Sequence, residues 1–580
     1  MRTVAYYFKT SLLWLFFFAV AKLYFFLVND GALSANTFYA IWKNGLRLDL
    51  SLVGYITLIP LAIFLVQYFM RVSLSKILAA YWWLVFLFIL LVVAVDPYFF
   101  NYWGQRTNLG FLQFLGKENA GMASIALDTY IAVFAFAALA VCWFVIWGRR
   151  VLAMPKLKSS FWSILLIGVS VVLLRGGISN VPINVSSAYF SDDNLNNNTA
   201  INAVWVFLAT ELERDKHAAL VFFDDEKDLE QLALPRVVSP SMDSAVNIND
   251  STNVILLVLE SFSAKVIGGL SGPQYDATPH LNELMQHGIN YRKAFASSFR
   301  SDKGLLALTY GVPSSARQTL TNFPQNLANE SSIFSVFPRK YHTSFAYGGN
   351  LEFANIKVLF KDADKVVSQD DYTSANVNAW GVHDGDVFAN ELLKFNTEQR
   401  PQFKMIFSLS SHEPFDVPNY HRIKNRYLNS VAYTDSCLGV FVDGLKNSGK
   451  WENTLLIVTA DHGTVRPDNA PIYDTANFRI PLLLTGGVVD QDTSVYSVVS
   501  QMDIFPTIAR LFDHSTSRVN PSLLTPQGRA FYSFHDGVVY VSDSTLNMWD
   551  IGMKAYIKPQ EDKPYEKGFY QQQNKKFFKN

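Results

Sequence analysis

Hydrophobic positions divide the chain into two unlike halves. Apolar runs long enough to cross a bilayer recur at 11–28, 51–70, 77–95, 130–147 and 161–174, which predicts about five membrane helices. The first run is longer than a signal-peptide core and further spans follow it, so it is expected to be a span. From Asn253 onward, short apolar runs alternate with helical patterns, predicting an α/β domain with a mainly parallel sheet. Three of these runs end abruptly in polar groups: NVILLVLESF at Glu260, KMIFSLSSH at His412, and TLLIVTADHG at Asp461 and His462. In an open α/β sheet the chemistry gathers beyond the carboxyl ends of the strands, so these acids and imidazoles are expected to share one sheet edge.

Between the halves the pattern changes. Asn-, Asp- and Ser-rich turns around SDDNLNNNT lead into AINAVWVFLATELERD, where Ile201, Val204, Trp205, Leu208 and Leu212 recur at amphipathic spacing. Such a helix suits a membrane surface or a position between two domains. Pro235, Pro240 and several serines then mark a linker. The expected organisation is a transmembrane domain over 1–177, a linker with an amphipathic helix over 178–249, and an α/β domain over 250–580.

Loop charge sets the expected orientation. With the N-terminus inside, inner loops carry Arg71, Lys76, Arg149, Arg150, Lys156 and Lys158, against Lys43, Arg47, Arg106 and Lys117 outside. An odd number of spans then places everything after Gly177 outside the cytoplasm. The outer loop over 96–122 is rich in aromatic rings and reads as an anchor in the headgroup zone. Arg47 and Asp49 could hold a headgroup or pair with each other, the pair being the simpler expectation. Equal counts of 49 basic and 49 acidic residues give no net charge, so nothing global points to nucleic acid. The two cysteines, Cys142 and Cys437, lie in different halves and are not expected to form a disulfide.

The candidate chemistry sits in the second half. Ser301 precedes the helical DKGLLALTY, a position that suits an N-cap, and equally a bound phosphate or a nucleophilic hydroxyl at a helix N-terminus. Glu260, Asp461 and His462, with the Ser301 oxygen as a fourth donor, form a set suited to Mn²⁺, Mg²⁺ or Zn²⁺ rather than to a thiolate-seeking metal. A divalent ion there would lower the pKa of the hydroxyl. The bland alternatives are a capping carboxylate at Glu260 and a polar turn at Asp461 and His462. His412 suits a phosphate contact or a leaving-group acid, or a satisfied structural role. Arg300 and Lys303 flank Ser301 and could neutralise phosphate oxygens or remain loop charges.

At these residues the chain resembles the lipoteichoic acid synthase family, membrane-anchored members of the sulfatase/alkaline phosphatase superfamily. The resemblance rests on LESF, SFRSDKG, AYGGNLEF, WGVHD, SSHEPF and TADHG in this order. It implies a transferase in a bacterial cell membrane, with its catalytic domain outside. Such an enzyme moves glycerol phosphate from phosphatidylglycerol to a glycan, glycolipid or polymer through a covalent intermediate. Glu260, Ser301, Asp461 and His462 would hold one divalent ion, Mn²⁺ first and Mg²⁺ or Zn²⁺ as alternatives; Ser301 would be the nucleophile and His412 a substrate contact. The chain departs from the family pattern twice. Serine stands where the polymerases have threonine, and Phe353-Ala354-Asn355 stands where they have Trp-x-Arg, which removes a guanidinium clamp. Tyr347, Asn350 and Asn355 are then expected to line a different headgroup pocket. A phosphoethanolamine transferase is the neighbouring alternative, although its relatives are rich in disulfides. A sulfatase proper would need Pro and Arg after the nucleophile, where this chain has Ser301-Asp302-Lys303-Gly304-Leu305. A non-enzymatic membrane scaffold or sensor is the alternative from another class.

Overall fold

A computed structural model describes residues 2–29, 34–103, 106–107, 127–153, 161–178, 183, 185–188, 190, 194–214, 222–223, 241–271, 275–322, 324–327, 330–351, 353–512, 522–558 and 563–577. The chain divides into two compact units, one comprising 1–117 with 125–217, the other 118–124 with 218–580.

Among the described residues of the first unit, four helices are long and apolar enough to cross a membrane: Arg2–Val28, Ala35–Met70, Ser75–Asn101 and Leu127–Val151. The expected fifth span is Phe161–Leu174, a helix of 14 residues; at ~1.5 Å per residue it reaches about 21 Å, short of a ~30 Å hydrocarbon core. It packs closely on the second helix, because a Cβ on Gly54 would stand 2.7 Å from the Ser170 carbonyl oxygen. The Ser170 hydroxyl meets Tyr7 Oη at 3.0 Å and Thr57 Oγ1 at 3.1 Å, polar links of the kind that join helices where there is no water.

Arg47 and Asp49 do not pair with each other, contrary to the simpler expectation. Arg47 donates to the Gly176 carbonyl at 3.0 Å, while buried Asp49 pairs with buried Lys22 at 2.6 Å and accepts from Asn202 Nδ2 at 2.9 Å. Two positions apart on a helix, the side chains point about 200° apart, which forbids the pair. The amphipathic helix runs over Ala203–Arg214, with Trp205 Nε1 donating to Ser51 Oγ at 3.1 Å. It thus packs on the helices of the first unit. The aromatic loop over 96–122 lies largely outside the described residues.

The second unit is built on a nine-stranded, mostly parallel mixed sheet. Its strands run in the order Thr493–Ser500, Ile289–Phe295, Leu482–Thr485, Thr454–Ala460, Asn253–Leu259, Gln402–Phe407, His342–Tyr347, Lys365–Val367, with Arg479–Ile480 pairing Ile289–Phe295. Every residue of Asn253–Leu259 and of Thr454–Ala460 is buried. Strands covered on both faces read as unbroken apolar runs, which is why these two stood out in the sequence. The edge strand Thr493–Ser500 instead alternates in burial over its first residues. A separate antiparallel sheet of four strands follows: Arg529–Phe534, Gly537–Ser542, Leu546–Asp550 and Ala555–Tyr556.

Candidate active site

Two neighbouring central strands bring the acids together. Asn253–Leu259 and Thr454–Ala460 run parallel, with Leu259 opposite Ala460, so the next residues of each chain, Glu260 and Asp461, leave the sheet side by side. Ligand atoms of Glu260, Asp461 and His462, all buried, lie within 4.8 Å of one another. His462 Nδ1 sits 2.7 Å from the Gly463 carbonyl oxygen. A carbonyl can only accept, so Nδ1 carries the proton and Nε2 offers its lone pair to the group. Nε2 lies 3.3 Å from Asp461 Oδ2 and 3.7 Å from Glu260 Oε1.

Ser301 is the first residue of the helix Ser301–Tyr310, and Arg300 holds the cap position without a side-chain hydrogen bond. Ser301 is therefore not an N-cap. Its Oγ stands 3.2 Å from Glu260 Oε2 and 3.3 Å from His462 Nε2. Two contacts hold it there. A Cβ on Gly304 would fall 2.1 Å from the Asp461 carbonyl oxygen, so only glycine lets the first helical turn lie against the end of the acid-bearing strand. Buried Gln501 donates through Nε2 to the carbonyls of Ala460 (2.8 Å) and Asp461 (2.7 Å) and accepts from Ser297 N at 3.0 Å. It ties the segment leading to Ser301 to the strand that carries Asp461.

The donor set fits a divalent cation. Asp461 Oδ1 accepts from the backbone N–H groups of Ser261 (2.8 Å) and His462 (2.7 Å), while Asp461 Oδ2 is buried with no hydrogen-bond partner. A buried carboxylate oxygen left in this state is costly unless a cation completes it. Burial, and then the neighbouring Asp461 charge, push the Glu260 carboxyl well above the usual carboxylate range. A dication between the two acids removes that conflict.

The remaining expected residues are distributed unevenly. His412 lies beyond the strand Gln402–Phe407, after a run of serines whose hydroxyls wire the site. Ser408 Oγ accepts from Glu260 N at 2.8 Å, and Ser411 Oγ donates to the Glu260 carbonyl at 2.5 Å. Ser410 Oγ accepts from Asp384 N at 3.0 Å. His412 Nδ1 donates to the Glu413 carbonyl at 2.7 Å, and burial lowers the imidazole below its ordinary pKa. Tyr347 ends its strand, buried and stacked on Phe407 at 4.8 Å. Burial and then the charges of Glu260 and Asp461 raise its phenol, so it belongs to the same group. Asn350 is half-buried in the following loop, and the side chain of Asn355 lies outside the described residues. Arg300 is engaged with Asp302 at 3.1 Å. Lys303 is not brought to the Ser301 hydroxyl: it is buried, and its Nζ donates to the carbonyls of Ser315 at 2.6 Å and Ala316 at 3.3 Å. Gln501 was missed by the sequence reading, and no local pattern marks it, since its contacts depend on tertiary approach.

Residues 252–514 match the sulfatase family. The chain is 21% identical over 297 residues to a lipoteichoic acid synthase-like protein, YvgJ, of Bacillus subtilis (strain 168), covering 46% of this chain and 48% of the relative. It is 23% identical over 371 residues to the lipoteichoic acid synthase of Staphylococcus saprophyticus, covering 56% and 55%. The chain thus spans about half the length of the curated relatives it matches. Among solved structures, a protein in the alkaline phosphatase superfamily from Vibrio parahaemolyticus shares the fold, at TM-score 0.52 and 24% identity over 68% of this chain and 98% of that one. Residues 252–514 therefore match the sulfatase family, and over about half of its length the chain is similar to lipoteichoic acid synthases.

Proposed function

We propose that the protein is a membrane-bound phosphotransferase that moves the headgroup of a phospholipid, glycerol phosphate from phosphatidylglycerol, to an extracytoplasmic hydroxyl acceptor. The observation that carries this reading is the Ser301 hydroxyl, placed at 3.2 and 3.3 Å from Glu260 and His462 at the edge where the two acids emerge. Glu260, Asp461, His462 and the Ser301 oxygen would hold the divalent ion, Mn²⁺ being the first choice. When bound, the ion supplies positive charge that lowers the pKa of the hydroxyl and offsets charge on the phosphoryl oxygens.

The chain's own residues do the rest. Ser301 Oγ attacks phosphorus, a new O–P bond forms as the bond to the diacylglycerol oxygen breaks, and that oxygen leaves with a proton as free diacylglycerol. The hydroxyl of a glycan, glycolipid or growing polymer then attacks the same phosphorus, the P–Oγ bond breaks as the new O–P bond forms, and the acceptor's proton restores the Ser301 hydroxyl. His412 contacts the phosphate, and Tyr347 with Asn350 borders the headgroup. With Phe161–Leu174 counted as a fifth, short crossing, loop charge supports an outer location for residues 250–580, with the acceptor on that side.

The test is diacylglycerol release from fluorescent phosphatidylglycerol by the purified full chain with Mn²⁺, run beside phosphatidylethanolamine. The expected result is release from phosphatidylglycerol alone, lost in Ser301→Ala. Release from phosphatidylethanolamine instead would reassign the donor, and equal activity of wild type and Ser301→Ala would remove the nucleophile.

A further inference from the structure

The WGVHD stretch has a structural partner in the site. Its Trp380 sits on a small antiparallel ribbon in which 377–378 pairs with 381–382. Asn378 fixes the turn: its Oδ1 accepts from Trp380 N at 2.8 Å and Gly381 N at 3.2 Å, and its Nδ2 donates to Asp416 Oδ1 at 3.2 Å. The turn is thereby tied to the loop of His412. On its other side Val382 N donates to the Gly348 carbonyl at 2.8 Å, and Gly381 bridges Gly349. These bonds tie the same turn to the loop that follows Tyr347.

Held from both sides, the Trp380 ring lies 4.2 Å from the His412 ring at an interplanar angle of 49° and 4.9 Å from Phe353 at 86°. Trp380 is 9% exposed, and its Nε1 has no hydrogen-bond partner. Buried indoles usually satisfy that N–H, so the turn presents this ring for its surface. His412 is meanwhile gripped at one edge by the Glu413 carbonyl at 2.7 Å. That bond sets the tautomer and holds one edge of the ring, while the indole packs against its face.

We propose that Trp380 is a positioning residue for His412, the indole and the Glu413 carbonyl together holding the imidazole in one orientation with Nε2 presented to a phosphate oxygen of the donor. The inference rests on the reading of His412 as a substrate contact. It gives the WGVHD tryptophan a role.

Two readouts on the full chain test it. In steady-state release of diacylglycerol from phosphatidylglycerol, His412→Ala is expected to lower kcat/KM by about 100-fold. Trp380→Ala should lower it by about tenfold or more, mainly in kcat, whereas Trp380→Phe, which keeps a ring, stays within about threefold of wild type. The double variant Trp380→Ala/His412→Ala should be no worse than His412→Ala alone, because a positioning residue has nothing left to position. Multiplying losses in the double variant, or a Trp380→Phe as poor as Trp380→Ala, would overturn the proposal; the second outcome would mean that the N–H itself meets substrate. If Trp380→Ala lowers the melting temperature, Trp380→Leu takes its place. The second readout is independent of activity: with selectively labelled histidine, the ring signal lost in His412→Ala should move in Trp380→Ala and the His462 signal should not. If wild type releases no diacylglycerol, the functional reading fails while the ring signal still decides the contact. An unmoved His412 signal overturns the positioning whatever the activity.

Discussion

At the scale of single residues, the site is decided by which side chains lack a protein partner. Asp461 is the clearest case, with Oδ1 doubly bonded to backbone N–H groups and Oδ2 left without a hydrogen bond. If that oxygen is reserved for a cation, adding Mn²⁺ raises the melting temperature of the wild-type chain and chelation reverses it. In Asp461→Asn the Mn²⁺-dependent rise disappears. An equal Mn²⁺ shift in both proteins, read by thermal unfolding, would place the ion elsewhere.

Lys303 shows what residue-level reading can and cannot see. Its sequence neighbourhood to Ser301 suggested a phosphate contact, but on a helix two positions differ by about 200°, and its Nζ is taken by the carbonyls of Ser315 and Ala316. Burial lowers its pKa to about 8. The identities of Glu260, Asp461 and His462 were legible because acids and imidazoles rarely end an apolar run by chance. Their convergence was not, since it depends on the register that sets Leu259 opposite Ala460.

At the scale of elements, two buried charges carry measurable consequences. Asp503, in the turn that opens the helix Ile504–Phe512, is buried and accepts from Ser500 N at 2.8 Å. Burial raises its carboxyl to about 7. A carboxyl whose folded pKa is raised holds its proton more tightly in the folded chain. Its contribution to stability is therefore full below the unfolded value and is lost as pH rises through about 7. The melting temperature of wild type should fall relative to Asp503→Asn between about pH 4 and about pH 7 and run parallel to it above that; parallel curves over the whole range would contradict the shift. In the first unit, Lys22→Met leaves Asp49 buried without its 2.6 Å partner and is expected to cost about 3–5 kcal/mol. Lys22→Met/Asp49→Leu should recover most of it, as read by unfolding in detergent. A single-variant cost below about 1 kcal/mol would mean that water or lipid solvates the pair.

Element patterns were legible in proportion to burial. The central strands were plain because both faces are covered. The four-stranded sheet over 529–556 was not read, although Asp536-Gly537 between RAFYSF and VVYVS is a strong hairpin signal. Its strands are short and turn quickly, so their weak periodicity was easily absorbed into the larger domain. The strand expected to deliver His412 ends at Phe407, and the serines that follow carry their hydroxyls to Glu260 and Asp384.

At the scale of the whole molecule, the chain joins long apolar helices in one unit to a sulfatase-family match in the other, and the proposed transfer draws on both. The central claim is that Ser301 takes the headgroup covalently. Its most direct measurement is mass spectrometry of the peptide containing Ser301, after the full chain in phosphatidylglycerol vesicles with Mn²⁺ is quenched in acid. The account predicts a glycerophosphoryl group on Ser301, absent in Ser301→Ala. Diacylglycerol released with that group on another residue, or with Ser301 unmodified at every quench time, would contradict it.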